Sequence, residues 1–237
     1  MNKESENNGE KNLLNTTSLR NQVYKYLQTE IEKKSLIPGK FMNLKKISQQ
    51  LRISKTPLRD ALIQLECNGF VTILPRRGVI VNKIEIKDIK QIFQLIGALE
   101  SCVIDSVFKK LKDEQLSQMK KINSKLKGII KNSKDDKLES VYYKLDLDFH
   151  NVFLDLSDNT ALKDILVPLR QRLYDFLRLT YIKEYEIMNC KEHDKFIKFL
   201  SAGKKTKALK LLKDSHWSFD VKEQFIKNLY DNAIKLY

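Results

Sequence analysis

Apolar residues recur at helical spacing in three short segments near the start of the chain. One apolar residue per turn predicts three helices that each bury a narrow stripe. Ser54 can cap the third helix, and Pro57 suits its first turn, where its missing N–H is not needed. The stripes consist of Leu19, Val23, Leu27 and Ile31, then Leu44, Ile47 and Leu51, then Leu58, Leu62 and Leu65.

Two β-branched runs follow Gly69, a residue that favours the end of a helix. They are residues 70–74 (FVTIL) and 79–81 (VIV), and they flank a turn that reads Pro75-Arg76-Arg77-Gly78. This pattern predicts a hairpin with arginines at its tip. A helix–turn–helix followed by such a wing suits DNA, with the second helix of the pair in the major groove and the cationic loop near the phosphates or in the minor groove.

Glycine and proline nearly vanish after residue 87, while apolar residues keep their helical spacing. This half of the chain is therefore predicted to be an all-helical bundle. The expected fold is mainly α: a disordered arm at 1–17, a winged helix–turn–helix at 18–84 and the bundle at 85–237. The predicted bundle helices lie near 87–111, 113–132, 137–157, 159–183, 187–202, 204–215 and 217–235.

The net charge of +14 is concentrated on the smaller region: residues 18–84 carry +9 and residues 85–237 carry +6. A basic surface on a helix–turn–helix favours DNA, because it releases counterions from the phosphates. Lysine that merely aids solubility is the weaker interpretation. The sequence has no unbroken run of about 18 apolar residues, so it predicts no membrane span. Residues 1–17 lack the apolar stretch of a secretory signal, and the three cysteines are isolated, which favours free thiols in a reducing cytoplasm.

The chain has three histidines, all in the helical half. Asp146 precedes His150 by four residues, so both lie on one helix face and can share a metal ion. His193 and His216 could complete the ligand set. For any single histidine, an ordinary buried or exposed residue is the alternative interpretation.

The N-terminal motif resembles the winged helix of GntR-family transcription regulators. The matching stretch runs from Ser54 to Leu62 (SKTPLRDAL) and continues through Glu66 and Gly69, with Leu36-Ile37-Pro38-Gly39 before it and Pro75-Arg76-Arg77-Gly78-Val79 after it. The resemblance implies that Arg59 reads a base, as the arginine fork suits guanine. The predicted DNA contacts are Lys45, Ser54, Lys55, Thr56, Arg59, Arg76, Arg77 and Gly78.

The helical half resembles the FCD effector domain of the FadR branch of that family. The resemblance rests on residues 146–150 (DLDFH), on Ser157-Asp158-Asn159 and on Glu192-His193. It implies a divalent metal (zinc, nickel or manganese) held by Asp146, His150, His193 and His216. His216 stands one residue beyond the family register. Either a local bulge realigns it, or the site has three protein ligands plus water and effector.

An organic acid is the effector that the resemblance implies. In the family, an arginine on the first bundle helix often helps to hold a carboxylate, but this chain has Ile96 at that position. Arg170, Arg172 and Arg178 are therefore candidates for that role, together with Asn159. A solvated basic face is the alternative for each arginine. A metal-dependent enzyme and a metal sensor without an organic effector are the alternative functions, but no H-E-x-x-H or nucleophile–base motif is present. The expected protein is a cytoplasmic homodimeric regulator that binds a pseudo-palindromic operator of double-stranded DNA. Repression is the usual activity in the family that it resembles, so a repressor is expected.

Overall fold

The computed structural model describes residues 18–132, 138–177 and 182–234 of the chain. Its internal contacts divide into two compact units, Met1–Lys83 and Ile84–Tyr237. The predicted arm at residues 1–17 lies outside the described residues. Each unit has its own apolar core, and each is described by itself.

The first unit contains three helices followed by a hairpin. They are α1 (Leu19–Glu32), α2 (Leu44–Leu51), α3 (Lys55–Cys67), β1 (Val71–Leu74) and β2 (Gly78–Val81). The two strands pair antiparallel, with Leu74 opposite Gly78. The predicted helical stripes supply the centre of the core, because Val23, Leu27, Ile47, Leu58, Leu62 and Leu65 are all buried.

Polar contacts hold the wing against the helices. Glu66 Oε1, near the end of α3, accepts a hydrogen bond from the backbone N–H of Ile73 at 2.6 Å. The backbone N–H of Met42 donates to the Val79 carbonyl at 2.8 Å, which adds the segment before α2 to the edge of the hairpin. Ser54 occupies the N-cap position of α3, as predicted, but its side chain makes no capping hydrogen bond.

The second unit is helical throughout its described residues. Its helices are α4 (Ile86–Val107), α5 (Asp113–Asn132), α6 (Leu138–Leu154), α7 (Thr160–Leu177), α8 (Lys183–Ser201), α9 (Lys205–Leu211) and α10 (Phe219–Ile234). A short 3₁₀ segment, Phe108–Lys110, follows α4, and a π-helical segment, Leu212–His216, follows α9. The mainly-α fold with a winged helix–turn–helix is confirmed. One helix bound was wrong: α8 begins at Lys183, four residues before the predicted start at 187. Helix α7 is described as far as Leu177, because residues 178–181 lie outside the described residues.

Helix α4 crosses the core of the second unit. Among the described residues, the segment Ile86–Lys110 is long and apolar enough to cross a membrane by length and composition. Half of its apolar window is buried inside the unit, as in the core helix of a water-soluble protein. Gly97 lets α4 approach its neighbours closely, because a Cβ atom there would lie 2.9 Å from Cβ of Trp217.

Candidate functional site

The N-terminal turn of α3 presents a polar, basic surface. Lys55, Thr56 and Arg59 are all exposed, and Lys45 is exposed on α2. Residues 55 and 59 are four apart and share one helix face. Among the described residues, none of the three basic side chains forms an ion pair, so their charges remain available to a polyanion.

The tip of the wing is a tight turn. The backbone N–H of Arg77 donates to the Leu74 carbonyl at 3.0 Å, and Arg76 has a φ of 62°, a left-handed conformation that glycine or asparagine usually adopts. Arg76 and Arg77 are exposed, and Gly78 has a φ of 119°. This turn exposes two guanidinium groups at the end of the hairpin. Their positive charge suits binding to the phosphate backbone or the minor groove of DNA.

The three histidines meet in the interior of the second unit. His150 lies on α6, His193 on α8 and His216 at the end of the π-helical segment. Each offers one ring nitrogen, and these atoms all lie within 4.8 Å of one another. Nε2 of His150 and Nε2 of His216 are only 3.2 Å apart.

The π-helical segment places His216 in this cluster. The backbone N–H of Trp217 donates to the Leu212 carbonyl at 2.8 Å, the five-residue spacing of a π-helix. One extra residue in the turn changes the direction of the side chains after it. The structure therefore contains the local bulge that was one of the two alternatives for the register of His216.

Each imidazole is oriented by a polar side chain that lies behind it, on the Nδ1 side of the ring. We call these polar side chains the second layer of the site. His150 Nδ1 lies 2.8 Å from Glu100 Oε2, and His216 Nδ1 lies 2.9 Å from Glu192 Oε2. His193 Nδ1 lies 3.2 Å from the side-chain oxygen of Asn123. Carboxylate and amide oxygens only accept hydrogen bonds, so each Nδ1 carries a proton in the neutral ring and each Nε2 carries a lone pair.

Asp146 stands beside the cluster with one free oxygen. Tyr174 donates its hydroxyl to Asp146 Oδ2 at 2.5 Å, whereas Oδ1 is buried without a hydrogen-bond partner. Oδ1 lies 3.6 Å from His193 Nε2, which is also buried without a partner. Buried polar atoms without partners are costly, and a bound cation would satisfy both.

The donor set fits a divalent metal. Burial lowers the pKa of His193 and of His216 well below the ordinary value, with further lowering from neighbouring cationic groups, so both rings stay neutral. Two lone pairs that face each other across 3.2 Å repel unless a positive charge lies between them. Two nitrogen ligands of one tetrahedral zinc ion stand roughly 3.3 Å apart, for metal–nitrogen distances of about 2.0–2.1 Å.

Three of the four candidate effector residues lie within the described residues, and each has a different environment. Arg170 is buried, and its guanidinium donates to Asn151 Oδ1 at 3.0 Å and to the Leu147 carbonyl at 3.1 Å. Asn159 is exposed, and its side-chain oxygen accepts a hydrogen bond from the backbone N–H of Leu162 at 2.9 Å in the first turn of α7. Arg172 is half-buried, and burial lowers its pKa. Arg178 lies outside the described residues.

Sequence reasoning missed most of the second layer. Glu100 accepts hydrogen bonds from both His150 and Trp217, and Lys222 donates to Glu192. A signal for two of these residues was present. Glu100 falls on the apolar stripe of α4, and Lys222 falls on the apolar stripe of α10 between Phe219 and Ile226. A charged residue on an otherwise apolar stripe indicates a buried charge with a partner.

A winged helix ahead of an all-helical unit defines a DNA-binding transcriptional regulator. Residues 19–81 match the model of the bacterial regulatory proteins of the gntR family, and residues 91–215 match that of the FCD domain. The chain therefore belongs to the GntR family, in the group that carries an FCD domain. It is a transcriptional regulator and not an enzyme.

Relatives and solved structures agree with this assignment. The chain is 27% identical to the HTH-type transcriptional repressor RspR of Escherichia coli strain K12 over 156 residues, which cover 65% of this chain and 66% of RspR. It is 24% identical to the HTH-type regulator YdhC of Bacillus subtilis strain 168 over 164 residues, which cover 69% and 72%. The E. coli McbR/YncC structure shares the fold, with a TM-score of 0.68 at 19% identity, over 91% of this chain and 99% of that one.

Proposed function

We propose that this regulator holds one divalent metal per chain at Asp146, His150, His193 and His216, and that the occupancy of the site controls binding to an operator. The observation that carries the proposal is the approach of two imidazole Nε2 atoms to 3.2 Å in a buried site, where the Nδ1 atom of each ring lies against a carboxylate. The unpartnered oxygen of Asp146 and the unpartnered Nε2 of His193 support it. When bound, the ion supplies positive charge that a small organic acid can share.

Ligand binding would act by shifting the protein between conformations with different affinity for DNA. The residues that we propose for DNA contact are Lys45, Ser54, Lys55 and Thr56, with Arg59 as the base reader. In the wing they are Arg76, Arg77 and Gly78. Repression by occlusion of a promoter in the cytoplasm is the proposed outcome, and the repressor RspR is a relative that carries this activity in its name.

Native mass spectrometry of the purified full-length protein tests the metal. We expect two chains with two zinc, nickel or manganese ions, and any organic acid retained with them. Chelation should lower the melting temperature, and metal should restore it. A protein that takes up none of the three ions in stoichiometric amount would refute the site.

Two-fold symmetry is the second part of the proposal. Leu95 on α4, and Ile165 and Val167 on α7, are exposed apolar residues on two helices that pack together, and they support a contact with a second copy. Residues 85–237 alone should be dimeric at micromolar concentration by light scattering. Selection from random duplex DNA should yield inverted half-sites. A monomeric bundle or a single unpaired site would contradict this part.

A metal sensor that needs no organic effector is the second candidate function. Arg170 favours it, because its Nη1 and Nη2 already donate to Asn151 and the Leu147 carbonyl, and its Nε lies 3.9 Å from the buried carboxylate of Glu100. DNA affinity measured against metal concentration, in buffers free of organic acids, separates the two candidates. A full response to metal alone supports the sensor, and a response only with an added carboxylate supports the effector.

A further inference from the structure

Lys222 is a cation enclosed in the interior of the second unit. Its side chain is 1% exposed. Its Nζ donates to Asn189 Oδ1 at 2.5 Å and to Glu192 Oε2 at 3.0 Å, and it lies 5.2 Å from the centre of the Tyr185 ring. Lysine is almost never fully buried unless it is paired, because its ammonium group loses its hydration. Glu192 is therefore the group that makes this burial possible.

Glu192 joins Lys222 to the histidine cluster. The same carboxylate oxygen, Oε2, accepts from Nζ of Lys222 and from Nδ1 of His216 at 2.9 Å. A carboxylate that accepts from a ligand imidazole raises the basicity of that imidazole. A lysine that donates to the same oxygen draws electron density away from it and weakens this effect.

The buried charges around the cluster nearly cancel. Among the described residues, the buried carboxylates of Glu100, Asp146 and Glu192 face the buried cations Arg170 and Lys222, which gives these five side chains a net charge of −1. Glu186 adds little at neutral pH, since burial raises its pKa to about 8. A divalent ion would change the net charge of this interior to +1.

We propose that Lys222 is a positioning residue that sets the metal affinity of the histidine site: it stabilises the metal-free bundle by pairing with Glu192, and it weakens the binding of a divalent cation. This inference rests on the proposed metal site and concerns its regulation. Two effects act in the same direction. The ammonium charge repels a cation across a low-dielectric interior, and it competes with His216 for Glu192. The site then releases its metal when the supply falls, as a regulatory site requires.

Zinc affinity of the full-length protein, measured by competition with a chromophoric chelator, tests the idea. Replacement of a second-layer partner typically changes metal affinity by about 10–100-fold, so Lys222→Met should bind zinc at least about tenfold more tightly than wild type. Its metal-free form should melt at a lower temperature, and zinc should raise that temperature by more than in wild type. Glu192→Gln, which removes a negative charge, should bind zinc at least about tenfold more weakly.

The double variant Lys222→Met/Glu192→Gln restores the wild-type net charge, so its affinity should return to within about threefold of wild type. Lys222→Arg keeps the charge and should stay near wild type. Lys227→Met, at an exposed lysine of the same helix, is the matched control and should leave zinc affinity unchanged.

Equal or weaker zinc binding by Lys222→Met would overturn the inference, because the lysine would then only hold Glu192 in place. If Lys222→Met does not fold, the test uses the double variant Lys222→Met/Glu192→Gln instead. The double variant must then bind zinc more tightly than Glu192→Gln alone. Wild-type protein that binds no zinc, nickel or manganese would refute the metal site itself. Wild-type binding with an unchanged Lys222→Met affinity would refute this inference alone.

Discussion

The two units carry their candidate functional side chains in opposite environments. In the winged helix, Lys55, Thr56 and Arg59 are exposed, and the basic ones form no ion pair among the described residues. In the bundle, His150 and His216 are at most 5% exposed, and their Nδ1 atoms are bound to buried carboxylates. Changes in the first unit should therefore alter binding alone, whereas changes in the second should alter binding and stability together.

The largest effect is expected at the bundle site. His216→Ala should lower metal affinity by more than about 100-fold, because it removes a ligand rather than a second-layer partner. It should also change the melting temperature. Metal content and thermal shift are the measurements, and Asp214→Ala, at an exposed residue of the same π-helical segment, is the control. If the His216→Ala protein keeps its metal and its thermal shift, the site has three protein ligands and the assignment of His216 is wrong.

The contact between α4 and Trp217 tests how tightly the bundle site is built. Gly97→Ala would place a Cβ atom 2.9 Å from Cβ of Trp217, whose indole N–H donates to Glu100 at 2.7 Å. We expect a loss of about 1–3 kcal/mol in the free energy of unfolding. The fluorescence of Trp217, the one tryptophan of the chain, should change with it.

Gly128→Ala is the matched control for that substitution. Gly128 lies within α5, and a Cβ atom there meets nothing within 4 Å. It should stabilise the helix by roughly 0.5–1 kcal/mol. Equal stability of the two alanine variants would show that the close approach of α4 is not needed.

The winged helix should show the opposite behaviour. Arg59→Ala is expected to cost about 1–3 kcal/mol of operator affinity and to relax specificity at one base position. The melting temperature should not change, since the side chain is exposed. Arg20→Ala, at an exposed arginine of α1, is the control. Equal loss of affinity on operator and on random DNA would reduce Arg59 to a phosphate contact.

The smallest effect is a pH dependence confined to the bundle. Burial lowers the pKa of His193 and of His216, so the unfolded chain takes up their protons first and stability is lost as pH falls below about 6.5. Burial raises the pKa of Glu186 from 4.5 to about 8, so the folded chain keeps a proton that the unfolded chain releases, and this group's contribution to stability is lost as pH rises from about 4.5 to about 8. Stability of the metal-free protein should therefore be greatest near pH 6.5, with slopes of up to about 1.4 kcal/mol per pH unit.

Denaturant titrations across pH 5–8 in the presence of chelator measure this dependence. Glu186→Gln should flatten the alkaline side and steepen the acid side, because Glu186 opposes the two histidines at every pH between about 4.5 and 8. A stability that rises steadily through pH 8 would contradict the assignment of a buried, protonated Glu186.

The helices and the wing were accessible to sequence reasoning because they depend on local patterns. Apolar periodicity located all ten α-helices of the described residues, and Pro75-Arg76-Arg77-Gly78 located the turn of the hairpin. The start of α8 was placed four residues too late. Helix ends depend on caps and on packing against distant residues, which periodicity does not encode.

The histidines could be proposed from the sequence, but their second layer could not. Glu100 precedes His150 by fifty positions, and Asn123 precedes His193 by seventy. Such pairings are made by the packing of helices that no local pattern connects. The π-helical segment at His216 was one of two open alternatives, since a one-residue offset indicates a mismatch but not its resolution.

The π-helical segment Leu212–His216 also bears on how such a site tolerates insertions and deletions. A π-helical turn contains more residues than the α-helical turn it replaces. A chain with one residue fewer before its last histidine can close the same stretch as ordinary α-helix and keep the imidazole on the same side. Ligand spacing along the sequence can then drift by one while the ligand position in space is retained. A search that demands fixed intervals between metal ligands would overlook such proteins.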